Sequence, residues 1–124
     1  MKLMRREVEG MTAHLERLLA DTDQEFVLSL IALFRTHGEE IHAEIVHAAE
    51  NGDMKTLERS VHSLKGAAGN IGAAELRACC QKVEHAAHRG ELNPDDVRRV
   101  GDLLHGTSNA LQEISTRFSS EGGV

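Results

Sequence analysis

Apolar residues recur along this chain at intervals of three and four, the spacing of one face of an α-helix. The clearest run is Leu57, Val61, Leu64, Ala68 and Ile71, which fall on one side at about 100° per residue. The same period links Met11, Leu15, Leu18 and Leu19. It returns in Val27, Leu30, Phe34, Ile41, Ile45 and Ala48, with Phe26 and Ile31 beside that stripe. Leu76, Cys79 or Cys80, Val83 and Ala86 or Ala87 make a fourth stripe, and Val97, Val100, Leu104, Leu111, Ile114 and Phe118 a fifth.

Turn and capping residues divide these stripes into elements. Asp21-Thr22-Asp23 separates a short helix over about 9–20 from a long one over about 23–50 and supplies the cap of the second. Gly38 lies near the middle of the long helix, where a kink or fray is expected. In Asn51-Gly52-Asp53 the glycine suits a positive φ and the aspartate caps the next helix, 54–71. Gly72 stops that helix, a fourth follows over 73–89, and Gly90 ends it. Asn93-Pro94 reads as N-cap and first helical position of the last helix, 94–118. Residues 1–8 and the Ser/Gly-rich 119–124 are expected to be flexible ends. Short connections make neighbouring helices antiparallel. The expected fold is all-α, an up-down-up-down antiparallel four-helix bundle over one domain at 9–118, with the short N-terminal helix covering one end.

Composition agrees with that architecture. The chain has 124 residues, one proline, three phenylalanines and neither tyrosine nor tryptophan, a poor stock for strands. A formal net charge of −6 argues against nucleic acid, which requires basic patches. No run approaches the roughly 20 apolar residues of a membrane span, and the start lacks the apolar stretch of a secretory signal. Cys79 and Cys80 point about 100° apart on one helix and are not expected to pair with each other. A reduced, cytoplasmic compartment follows as the expectation.

The third helix carries a second face that its core stripe does not explain. His62 points away from the stripe, with Lys65, Gly66 and Gly69 around it at i+3, i+4 and i+7. Each glycine in a helix interior costs about 1 kcal/mol against alanine. Placed beside a histidine, they clear space around the imidazole and admit a close approach. Gly66 shares the direction of His62 and Lys65; Gly69 serves either access or the approach of a neighbouring helix. A neutral imidazole is a nucleophile near neutral pH, and a lysine one turn away offsets the charge of a phosphoryl group.

His62-Ser63-Leu64-Lys65-Gly66, followed by Gly69 and Gly72, resembles the signature of histidine phosphotransfer (HPt) domains of multistep two-component phosphorelays. The likeness extends in pattern from about Leu15 to Phe118. It implies a phosphorelay intermediate in which His62 takes a phosphoryl group from one receiver-domain aspartate and passes it to another. The implied partners are response-regulator receiver domains and a sensor or hybrid histidine kinase. The implied cofactor requirement of this chain is none, with Mg²⁺ on the receiver. Val61 departs from the alanine common before the histidine in relatives and falls on the core stripe. Ser63 stands where dimerising kinase domains usually place an acidic residue, and no Gly-rich nucleotide loop is present, so kinase activity is not expected.

Lys55, Glu58, Arg59 and Gly69 form the expected partner-docking rim, and Glu58 is one candidate to orient the His62 ring. Arg77 and Lys82 on the following helix are candidates for the same side. His14, His37, His42, His47, His85, His88 and His105 lack the spacing of metal-ligand pairs and read as surface residues. Two alternatives stand beside the relay reading: a phosphoacceptor domain of a chemotaxis-type kinase, and a non-catalytic helical interaction or metal-binding bundle. A monomer is expected.

Overall fold

A computed structural model of the chain describes residues 2–122. It contains α1 (Arg5–Asp21), α2 (Gln24–Glu50), α3 (Met54–Asn70), α4 (Ala74–His88) and α5 (Pro94–Gly122), with no strand among the described residues. Side-chain caps start three of the helices. Asp23 accepts from the Phe26 N–H at 2.8 Å, Asp53 from the Thr56 N–H at 3.2 Å, and Asn93 from the Asp95 N–H at 3.0 Å. Each satisfies a first-turn donor that has no partner within its helix.

Helix α2 packs on α3 and α5, and α4 packs on α3 and α5, so these four close a ring around the core. The α3 stripe is fully inside: Leu57, Val61, Leu64, Ala68 and Ile71 are each 0% exposed. Burying such side chains stabilises by about 1.5–3 kcal/mol for each large one. Val61 is absorbed by this core. Both cysteines are buried, unpaired thiols, Leu103 joins Leu104 inside, and Thr107 is the buried polar residue of α5.

Several local expectations are corrected. Helix α2 is continuous through Gly38. A Cβ there would lie 3.1 Å from Leu104 Cδ1, so this glycine is a contact between α2 and α5, and flanking packing holds the helix together across it. Phe26 lies outside the core at 48% exposure, and Leu30 is only partly buried. Phe34 is buried as expected, and Ile31, expected beside the stripe, is buried with it.

Residues 5–8 and 119–122 are helical, which extends both terminal helices beyond the boundaries expected from the sequence. At the front, Leu3 is buried and Val8 packs on the core. At the back, Gln24 Nε2 donates to the Phe118 carbonyl at 2.7 Å, and no breaker follows until Gly122. Of the expected flexible ends, Met1, Gly123 and Val124 lie outside the described residues.

Helix α1 touches α2, α4 and α5 and secures the α3–α4 turn. His14 Nε2 donates to the Asn70 carbonyl at 2.9 Å. Glu7 Oε1 accepts from the Glu75 N–H at 2.9 Å, supplying a cap to α4, whose own N-cap residue, Ala73, has no side chain to do so. Gly72, with φ of 76°, turns the chain tightly beneath the His14 ring.

Candidate functional site

Helices α3 and α4 form a hairpin, and its register assembles the site. Gly69 lies under Arg77, His62 meets Glu84, and Glu58 meets His88. Each pair is equidistant from Ala73, so the two helices run antiparallel with one side chain of each pair on either strand of the hairpin.

His62 Nδ1 lies 2.5 Å from Glu84 Oε2, and Lys65 Nζ lies 2.6 Å from Glu84 Oε1. One carboxylate therefore holds both residues, one through each oxygen. Burial pushes the Glu84 carboxyl up, but hydrogen bonds and charges from Lys65 and His62 outweigh it and hold the group below its ordinary value. An ionised carboxylate only accepts, so the proton between Glu84 and His62 sits on Nδ1. The ring nitrogen left to react is Nε2. The His62 side chain is 66% exposed while that of Glu84 is only 15% exposed: the nucleophile stands in solvent on a sheltered support.

Gly66 has no atom within 4 Å of where a Cβ would be. That leaves clear space one turn from His62. Beyond it, a groove between α2 and α3 is lined by Leu30, Leu33, Phe34, Ser63, Gly66 and Ala67, among others. Leu33 is 60% exposed in that region, an apolar side chain offered to solvent beside the site.

The structure sorts the remaining sequence candidates. Gly69 is covered at ordinary contact distance by the Arg77 side chain, with Cδ 3.5 Å from a Cβ position. Its role is thus the close approach of α4, and Arg77 is on the α3 side. Lys82 points instead to α5, where its Nζ lies 3.4 Å from Asp96 Oδ1, which removes it from the face of His62. Glu58 does not orient the His62 ring; it bonds His88 Nδ1 at 2.8 Å. Lys55 is exposed, and exposed Arg59 lies along α3 with Nη2 3.5 Å from Thr56 Oγ1.

Glu84 escaped sequence reasoning, because helical periodicity orders residues within one helix and says nothing of the register between two. The available signal was distance from the turn: Glu84 lies as far after Ala73 as His62 lies before it. Among the described residues, no group of three or more His, Cys, Asp or Glu side chains is placed to hold a metal ion. None of the described helices is long and apolar enough to cross a membrane.

The chain is similar to known phosphotransfer proteins. The chain is 28% identical over 98 residues to the phosphorelay intermediate protein YPD1 of Candida albicans, covering 76% of this chain and 53% of that protein. It is 32% identical over 68 residues to histidine-containing phosphotransfer protein 1 of Oryza sativa subsp. japonica, covering 53% of this chain and 46% of that one. The chain thus matches about half the length of these curated relatives. Histidine-containing phosphotransfer protein B (HptB) of Pseudomonas aeruginosa has a similar crystal structure, with a TM-score of 0.62 and 26% identity over 88% of this chain and 90% of that chain. The Hpt domain model matches residues 29–115, most of α2 through α5, and the chain belongs to the Hpt domain family.

Proposed function

We propose that this protein is a phosphocarrier that relays a phosphoryl group between receiver-domain aspartates through His62 Nε2. The observation that carries the reading is the Glu84 carboxylate on Nδ1, which leaves an exposed Nε2 beside the open space at Gly66. The Nε2 lone pair attacks the phosphorus of an aspartyl phosphate in line. The N–P bond forms, the P–O bond to the aspartate breaks, and the carboxylate departs with the bonding electrons. Nδ1 keeps its proton, donated to Glu84, so the positive charge that develops on the ring has a partner. Lys65 stands one turn away to offset the phosphoryl charge. The reverse sequence delivers the group to a second receiver. Phosphoryl transfer needs positioning and charge neutralisation more than covalent machinery, and His62, Glu84 and Lys65 offer both.

The Mg²⁺ and acidic pocket of the reaction are assigned to the receiver, and phosphoryl supply to a sensor or hybrid kinase. The groove of Leu30, Leu33 and Gly66 suits an apolar surface of the receiver, with exposed Lys55 and Arg59 at the rim. The relay unit is taken as residues 9–118, arranged up-down-up-down over α2 to α5, monomeric and cytoplasmic. The Hpt match over 29–115 and the ring of packed helices support the relay unit.

The test is phosphotransfer from a phosphorylated receiver to wild type and His62→Gln. Acid-labile, base-stable label on wild type alone is the expected result. Equal labelling of both proteins, or none from any of several receivers, overturns the reading.

A further inference from the structure

The hairpin register that places Glu84 on His62 builds the same pair a second time, with the helices exchanged. Glu58 is one turn before His62 on α3, and His88 one turn after Glu84 on α4. Glu58 Oε1 and Oε2 lie 2.8 and 3.2 Å from His88 Nδ1. The side chain of His88 is 79% exposed and that of Glu58 31%, the same division into open ring and more sheltered carboxylate. As at His62, a carboxylate on Nδ1 leaves Nε2 as the free nitrogen.

Access is comparable. Helix α4 ends at His88, and two residues later Gly90 has no atom within 4 Å of a Cβ position. A shallow depression between the helices is lined by Glu58, Lys65, Glu84, His85, His88 and Arg89. Lys65 and Arg89 are the cationic side chains there, Lys65 held by Glu84 at 2.6 Å and Arg89 reaching Glu91 at 3.3 Å.

We propose that His88, oriented by Glu58, is a second phosphoryl-accepting histidine that takes the group at Nε2 from a phosphoryl donor such as an acyl phosphate or a phosphoramidate. The proposal rests on the phosphocarrier reading of the α3–α4 face. With an acyl phosphate, the Nε2 lone pair forms the N–P bond, and the P–O bond to the acyl group breaks. The carboxylate leaves with those electrons while Nδ1 keeps its proton toward Glu58. With a phosphoramidate the P–N bond breaks and ammonia leaves, drawing its proton from solvent. His88 is the weaker acceptor of the two. No lysine shares the Glu58 carboxylate as Lys65 shares Glu84.

The experiment treats full-length His62→Gln with phosphoramidate and maps phosphohistidine by mass spectrometry under alkaline conditions. His88 is expected to label about tenfold faster than the exposed histidines His37 and His47, the low end of what a hydrogen-bond partner that orients a histidine contributes. Glu58→Gln in the same background is expected to remove that advantage, with an unchanged melting curve showing that the fold persists. Labelling of His88 at the rate of His37 and His47, or an advantage that survives Glu58→Gln, overturns the proposal. In the wild type, mapping after transfer from a receiver reads His62 separately, so loss of the His88 site leaves the relay reading standing and failure at His62 is recognised as its own result.

Discussion

Glu84 Oε2 lies 2.5 Å from His62 Nδ1 while Glu84 Oε1 lies 2.6 Å from Lys65 Nζ, so one side chain of α4 sets the posture of two residues on α3. Glu84→Ala removes both contacts and leaves the ring free to rotate. Transfer from a receiver to His62 is expected to fall by about tenfold to a hundredfold, the scale of lost orientation. Quenched-flow transfer kinetics measure it, and an unchanged rate would show that the ring needs no support.

The same carboxylate makes the pair acid-sensitive. Glu84 titrates below its ordinary value when folded, so the unfolded chain takes up its proton first as pH falls. Its contribution is complete above the ordinary carboxylate range and is lost as pH drops through the lowered folded value. The melting temperatures of wild type and Glu84→Ala are expected to differ at pH 7 and to converge in acid. A gap that stays constant across the titration would contradict the assignment.

Gly66, inside α3, and Gly72, in the turn that follows it, separate two uses of glycine. Gly66 has open space around it, so Gly66→Ala is expected to stabilise by up to about 1 kcal/mol through helix propensity. The added methyl group narrows the approach to His62 and slows transfer from a receiver more than labelling by phosphoramidate. Gly72 has φ of +76°, and a Cβ there would lie 2.7 Å from His14 Cβ and Cγ. Gly72→Ala is expected to destabilise by about 1–3 kcal/mol from backbone strain and overpacking. Urea denaturation measures both, and the two variants must shift in opposite directions.

His42 and His105 bring a pH response to the contact of α2 with α5. Their rings are 5.6 Å apart, edge to face, and His42 Nε2 would be 2.7 Å from a Cβ at Gly101. Burial, and then the neighbouring His105, holds His42 below its ordinary value. The unfolded state therefore binds the proton first, and stability is expected to decline as pH falls below about 6.5. His42→Gln should flatten that part of the curve. Thermal melts between pH 5 and pH 8 measure the slope; an equal slope in the variant would place the acid sensitivity elsewhere.

The adjacent thiols are expected to be inert in the folded protein. Burial raises Cys79 and pushes Cys80 up to about 12, and the thiolate is the reactive form. Iodoacetamide at pH 8 should modify Cys80 only after denaturation. Rapid labelling of the native protein would show that α4 opens locally.

The five helices, their caps at Asp23, Asp53 and Asn93, and the inward stripe of α3 were determined by the sequence, because each depends on residues within one or two turns. The likeness of His62, Lys65 and Gly66 to a known signature was legible for the same reason. Register between helices is a different kind of information. Only the turn at Gly72, braced by His14, decided that Glu84 meets His62, that Glu58 belongs to His88, and that Arg77 covers Gly69. Gly38 could be read from the sequence only as a weakness in α2; the approach of Leu104 makes it a contact. Local periodicity says which way a side chain points from its own axis, and the packed structure decides what it meets there.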